Sequence, residues 1–292
     1  MISGVNYRRY SDFLGEFFEG KVQKLSIDLG AGCPNRDGSK GRGGCIYCSN
    51  EAFSPDFAKR SRSVPEQIAS GKAFFARKYP RMHYLAYFQS FTPTHSPAFL
   101  NALAEAKVQE DVVGAVVSTR PDCIDDALLE SMKALEDNDF RILIEIGAET
   151  SHDETLRLIN RCHLWSDVED AVTRCHRAGF PTGIHLILGL PGESDDMIFS
   201  TIERVNALPV SSVKFHQLQV LAGTRLAQMV RCGEISVRTW TAEDYAILCK
   251  EIARRLRPDI AIDRFVAQAP DSMLLSPRWG IKNYQFDHLL DN

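Results

Sequence analysis

The chain has 292 residues, 44% of them hydrophobic and 25% charged, with a formal net charge of −4. That composition fits a globular protein and argues against a collagen-like, disordered or membrane protein, and no apolar run approaches the roughly 18 residues of a bilayer span. The first ten residues carry no apolar signal-peptide core, so a cytoplasmic, thiol-reducing setting is expected.

In chain order, residues 23–29 read as a strand, followed by a long Gly-rich loop to Asn50. Residues 65–79 read as a helix with Ser63 as its cap and Pro65 in its first turn. Then come a strand at 82–89, a helix at 96–107, a β-branched strand at 112–119, a helix at 125–136 and a strand at 141–147. Two helical pieces, 152–160 and 167–178, lead to a strand at 183–188, a helix at 194–208 and a strand at 212–220. An amphipathic helix at 241–256 and a last strand at 260–265 complete the pattern. Short apolar strands alternating with helices predict βαβ units and a parallel sheet, hence an α/β fold built as a barrel or partial barrel. Active-site residues of such barrels gather at the C-terminal ends of the strands. The polar residues there are Gln89, Ser118, Arg120, Glu145, His185, His216 and Gln217.

Of eight cysteines, Cys33, Cys45 and Cys48 lie on the loop after the first strand, with five glycines among residues 32–44. Three thiols on a pliable loop suit a soft metal site. No fourth Cys or His is near, and the next, His83, is 35 residues on. A structural zinc site normally takes four protein ligands. A [4Fe–4S] cluster held by three cysteines instead leaves one iron open to a substrate or cofactor. A redox dithiol, or zinc with a distant fourth ligand, are the other readings. Tyr47 places a ring beside the last two cysteines, while Arg36, Arg42 and the loop's backbone N–H groups can offset a cluster's negative charge. Cys123, Cys175, Cys232 and Cys249 have no metal spacing and read as packing residues. Charge is uneven: residues 1–81 hold 14 Lys and Arg against 8 Asp and Glu, and the remainder 20 against 30. The basic excess flanks the cysteine loop and suits an anionic partner.

These residues resemble the radical S-adenosylmethionine (SAM) superfamily. Its usual spacing is CxxxCxxC, whereas eleven residues separate Cys33 from Cys45 here. That is similar to the YhcC-type branch, related to the radical SAM domain of the elongator catalytic subunit. The resemblance spans roughly residues 6–280 and rests on seven blocks in order. They are Cys33-Pro-Asn-Arg-Asp-Gly, Gly43-Gly-Cys-Ile-Tyr-Cys, Ser118-Thr-Arg-Pro-Asp-Cys, Ile144-Glu-Ile-Gly-Ala-Glu-Thr, Ile159-Asn-Arg-Cys-His, His185-Leu-Ile-Leu-Gly-Leu-Pro-Gly-Glu and Lys214-Phe-His-Gln-Leu.

The resemblance implies a partial (β/α)6 TIM-like barrel over 21–235, an N-terminal extension over 1–20 and a C-terminal helix and extension over 236–292. It implies a [4Fe–4S] cluster on Cys33, Cys45 and Cys48, with SAM on the fourth iron. SAM would meet Tyr47, Gln89, Ser118, Arg120, Glu145, Arg161, Leu186, Gly189 and Gln217. Arg161 would pair the SAM carboxylate, and Leu186 to Gly189 would pack the adenine. Glu149, His185 and Cys162 are the implied catalytic residues, with His216 a further acid–base candidate. Glu149 and Cys162 stand where relatives usually carry Gln and Gly. The resemblance also implies reductive cleavage of SAM to methionine and a 5′-deoxyadenosyl radical that takes hydrogen from a substrate. An external electron donor such as flavodoxin or ferredoxin is implied. An RNA or nucleoside substrate is the leading expectation; a small metabolite or peptide, or a non-catalytic iron–sulfur protein, are the alternatives.

Overall fold

The computed structural model describes residues 6–58, 62–76 and 82–291. The β-branched and aliphatic runs form strands β1 (Val22–Ile27), β2 (His83–Phe88), β3 (Val112–Thr119), β4 (Arg141–Glu149), β5 (Thr182–Leu188) and β6 (Ser212–Gln217). Each pairs in parallel with the next, and β8 (Ala261–Ile262) adds a short seventh strand beside β6. Two further strands, β7 (Val220–Leu221) and β9 (Leu274–Ser276), form a separate antiparallel pair. Residues 212–220, expected as one strand, therefore break after Gln217. Leu218 N–H turns to the Leu188 carbonyl at 2.8 Å, which carries the chain off the sheet. The expected strand at 260–265 shortens to two residues.

Helices fill the connections, and their ends carry the expected signals. Ser63 and Glu66 form a reciprocal capping pair: Ser63 N–H donates to the Glu66 carboxylate at 2.7 Å, and Glu66 N–H to Ser63 Oγ at 3.4 Å. This helix runs Val64–Ala76; expected positions 77–79 lie outside the described residues. Asp125, Ser194 and Thr241 cap Asp126–Lys133, Asp195–Asn206 and Ala242–Arg255 with side-chain oxygens.

Strand alternation sorts the side chains into two sets. Leu25, Ala86, Val117, Ile144, Ile184, Leu186, Val213 and Phe215 face the helices and join the main apolar core. The other parity faces the interior of the curled sheet in layers. The lowest layer is apolar: Leu85, Val116 and Leu143 pack with Tyr10, Phe13, Leu14 and Phe18. A helix at Tyr10–Leu14, with no periodic signal in so short a segment, thus plugs the barrel floor. Its entry is pinned where Ile262 N–H donates to the Arg8 carbonyl at 2.9 Å. Above this plug the interior turns charged.

Candidate active site

The loop after β1 is fixed from two sides. From the helix side, buried Gln67 accepts from Asp28 N–H at 2.8 Å and donates to the Asp28 and Arg62 carbonyls at 2.9 and 3.0 Å. From the barrel rim, the segment 159–162 covers the loop. Asn35 is fully buried and donates to the Asn160 carbonyl at 2.6 Å, while Asn160 donates to the Arg42 and Gly44 carbonyls at 3.0 and 2.8 Å. Packing is so close at Gly41 that a Cβ would stand 2.3 Å from Asn35 Oδ1 and 2.6 Å from Cys162 Sγ, which only glycine permits. Glu149, Asn160 and Cys162 all hold positive φ (67°, 56° and 57°), strain concentrated on the rim that grips the loop.

The sulfurs are met by donors. Asn35 Nδ2 and Arg161 Nη1 point at Cys45 Sγ from 3.5 and 3.6 Å, and Thr92 Oγ1 at Cys33 Sγ from 3.8 Å. Arg36 donates to the Cys48 carbonyl at 3.3 Å. Among the described residues, no three His, Cys, Asp or Glu side chains form a group that could grip a single metal ion. The donor set is one that suits a thiolate-ligated cluster: three cysteines, N–H and O–H groups aimed at sulfur, and a guanidinium to balance charge.

Beside the loop lies a chamber of about 250 Å³, lined by Tyr47, Cys48, Gln89, Ser118, Glu149, His185, His216 and Gln217 among others. A second chamber, about 900 Å³, lies between β1 and the segment after β8 and is lined by Lys24, Phe57, Arg62, Phe74 and Asp263. Phe53, Tyr87, Gln89, Lys214 and Arg264 line both.

Several expected site residues stand elsewhere. Glu145 is in mid-strand, since β4 continues four residues beyond it. It lies in the charged layer, bonded to Lys24 at 2.7 Å, Lys214 at 3.3 Å, Tyr87 Oη at 2.7 Å and His185 Nε2 at 2.6 Å. Arg120, 2% exposed, is taken up by Asp122 at 2.8 and 3.0 Å and by the Arg161 carbonyl at 3.0 Å. Leu186 faces the helices, not the chamber, because His185 and Ile187 hold the inward parity. Gly189 opens away too: a Cβ there would strike Trp240 at 2.4 Å. Cys162 is exposed on the outer side of the loop and lines neither chamber. Arg161 is already occupied by Glu149 at 3.1 Å, the Gly147 carbonyl at 2.7 Å and Cys45. Gln217 reaches the chamber wall, but both ends of its amide clamp the Ala267 backbone at 2.8 Å.

Lys24, Tyr87, Gln219 and Arg264 carry no signal in the sequence, and Lys214 stands in the seventh block without an assigned role. For Lys214 a signal existed: it shares the inward parity of His216 two residues later. Arg264 follows a two-residue strand too short to show parity.

The electrostatics of the charged layer follow from its burial. Burial works to raise the Glu145 pKa, but Lys214, Lys24 and His185 outweigh it and hold the carboxyl well below its ordinary value. Burial pushes Lys214 down to about 8, against the pull of Glu145. Burial, reinforced by Lys214, lowers the His185 pKa, and burial with Arg264 lowers that of His216 far below the ordinary range. Both rings are therefore neutral near pH 7. Arg161 stays charged because Glu149, Tyr47 and Cys45 overcome its desolvation.

A parallel half-barrel with a three-cysteine loop on its C-terminal rim, beside a chamber that carries Gln89, Glu149 and His185, is the architecture of a SAM-radical protein. The chain belongs to the radical SAM superfamily, whose family model matches residues 27–205, with a radical SAM C-terminal domain matching 210–292. It is similar to protein YhcC of Escherichia coli, 35% identical over 281 residues that cover 96% of this chain and 86% of that one. It is also similar to protein YtqA of Bacillus subtilis, at 32% over 282 residues, with the same shares of the two chains. In fold it resembles the archaeal Elp3 of Methanocaldococcus infernus, with a TM-score of 0.66 and 16% identity, covering 92% of this chain and 62% of that one. The family's cofactors are a [4Fe–4S] cluster and SAM.

Proposed function

We propose that the chain is a radical SAM enzyme in which Cys33, Cys45 and Cys48 hold the [4Fe–4S] cluster. The observation that carries this reading is the set of three thiols on one clamped loop, with N–H donors on Cys45, at the edge of a chamber lined by Tyr47, Cys48, Gln89 and Glu149. When bound and reduced, the cluster and SAM supply methionine and a 5′-deoxyadenosyl radical able to take hydrogen from a substrate.

The chain's own residues do the rest. Arg161 fixes Cys45 and Glu149 together, so that Glu149 presents a carboxylate to the chamber as a partner for the SAM ammonium. Gln89, steadied by donating to Ser26 Oγ at 2.9 Å, and Ser118 offer polar contacts for the rest of the cofactor. Tyr47 closes the wall beside the cysteines. His185, held neutral by burial and Lys214 and oriented by Glu145, faces ribose or substrate. The apolar floor plug and the helix-side core keep bulk water out from below.

The substrate reading is an RNA or nucleoside. It is supported by Phe53 and Phe74, exposed at 39% and 61% on the second chamber's wall, with Phe57 5.8 Å from Phe74 and Arg62 beside them. Aromatic faces with adjacent cations suit stacked bases and phosphates. A small metabolite or peptide is the second reading, favoured by the small volume of the 250 Å³ chamber. An external protein such as flavodoxin or ferredoxin supplies the electron.

Anaerobic reconstitution tests the cluster assignment. The wild type is expected to take up iron and sulfide at roughly four each per chain, and Cys33→Ala, Cys45→Ala and Cys48→Ala each to lose the cluster. Zinc uptake with no iron would contradict it. For the RNA reading, tRNA binding should weaken steeply with salt; weak binding unaffected by salt would remove it.

A further inference from the structure

The interior carries an unmatched charge. In the charged layer Lys24, Lys214 and Arg264 confront, among the described residues, two carboxylates, Glu145 and Asp263. Lys24 contacts them at 2.7 and 2.9 Å, and Lys214 at 3.3 and 3.6 Å. The nearby histidines add nothing, being neutral, and Glu149 is matched by Arg161 at 3.1 Å. At the outer wall of the second chamber Arg62 and Asp56 are of opposite sign.

Arg264 is the cation left over. Among the described residues no carboxylate lies within 4.0 Å of its guanidinium, and its Nε is buried without a hydrogen-bond partner. Its Nη2 meets only the His216 ring, at 3.2 Å. A half-buried cation with no carboxylate in contact is left to seek an anion, and a guanidinium fork is shaped for a carboxylate or phosphate. Gln219 adds a second unmet group. It is 7% exposed, its Nε2 donates to the Ala267 carbonyl at 3.0 Å, and its Oε1 is buried with no partner on the wall of the chamber that Arg264 also lines.

We propose that Arg264, with Lys214 behind it, binds an anionic group of the substrate, a carboxylate or a phosphate with an N–H or O–H nearby for Gln219. The word substrate rests on the radical SAM reading; the anion site rests on the charge imbalance alone. The SAM carboxylate is the other source of such a group. The substrate is favoured because Arg264 lines both chambers, whereas Tyr47, Cys48 and Glu149 line only the one beside the cysteine loop. Arg264 thus stands at the junction of the two chambers.

The test uses the anaerobically reconstituted protein and the variants Arg264→Gln and Arg264→Lys. Thermal melts are recorded in sodium phosphate, sodium acetate and sodium chloride at matched ionic strength, and SAM affinity is measured by equilibrium binding. Phosphate or acetate is expected to raise the wild-type Tm above chloride, as binding to the folded state must. The shift should vanish in Arg264→Gln and survive in part in Arg264→Lys. Without added anion, Arg264→Gln should melt no lower than wild type, since it removes a half-buried charge with no carboxylate in contact. SAM affinity should change by less than about threefold. No anion-specific shift in the wild type, or a shift that persists in Arg264→Gln, would overturn the site. A loss of SAM affinity of about tenfold or more in Arg264→Gln would assign the group to the cofactor and overturn the substrate assignment. A wild type that shows the anion shift yet never cleaves SAM would refute the enzyme reading and leave the anion site standing.

Discussion

Glu145 is buried and touched by four side chains, two of them lysines. Removing its charge leaves Lys24 and Lys214 with Asp263 as their only carboxylate partner among the described residues. Glu145→Gln is expected to lower unfolding free energy by about 3–5 kcal/mol, read by denaturant titration at pH 7; a loss below about 1 kcal/mol would show the layer to be hydrated. The same group sets an acid limit. Its pKa is held well below its ordinary value, so its contribution is full above about pH 4.3, the unfolded value, and drains as pH falls toward the lower folded one. Stability measured downward from pH 7 should fall below that point in the wild type, and less so in Glu145→Gln. Cys162 makes the opposite case. Its thiol lies on the outside of the loop, at φ 57°. Cys162→Gly should relieve left-handed strain, raise stability by about 0.5–1 kcal/mol and leave iron content unchanged. Loss of iron in that variant would place the thiol in the site after all. The sequence pattern marked Cys162 by its position beside Arg161 but carried no information on which way the side chain turns.

Elements position the site, and their legibility tracked their length. Strands β1 to β6 and their helices were readable because four or more consecutive residues kept one period, and caps such as Ser63 and Thr241 marked the ends. Tyr10–Leu14, Arg225–Arg231 and the β7–β9 pair were not, being only two to seven residues long and fixed by tertiary contacts. The cysteine loop was readable as chemistry, while its clamp was not: Gln67 and Asn160 reach it from 39 and 118 residues away in sequence. Gln67→Ala removes one acceptor and two donor contacts at the loop's start. It should cost about 2–3 kcal/mol and lower the iron retained after gel filtration. Full retention of iron would mean that the 159–162 segment alone holds the loop.

On the scale of the whole molecule, the half-barrel divides labour by height. An apolar plug closes the floor, a charged layer of opposed lysines and carboxylates stiffens the middle, and the rim carries the cysteine loop above two joined chambers. No helix among the described residues is long and apolar enough to cross a membrane. Inward parity explains why some expected cofactor residues fell outside the chamber. Strand position was legible, but Leu186 and Glu145 needed the register and the end of the strand, which periodicity does not fix to a single residue. The account stands on one reaction. Purified and reconstituted without oxygen, then mixed with SAM and a strong reductant, the protein should release 5′-deoxyadenosine, and Cys48→Ala should release none. An intact cluster that yields no 5′-deoxyadenosine under reduction would contradict the account.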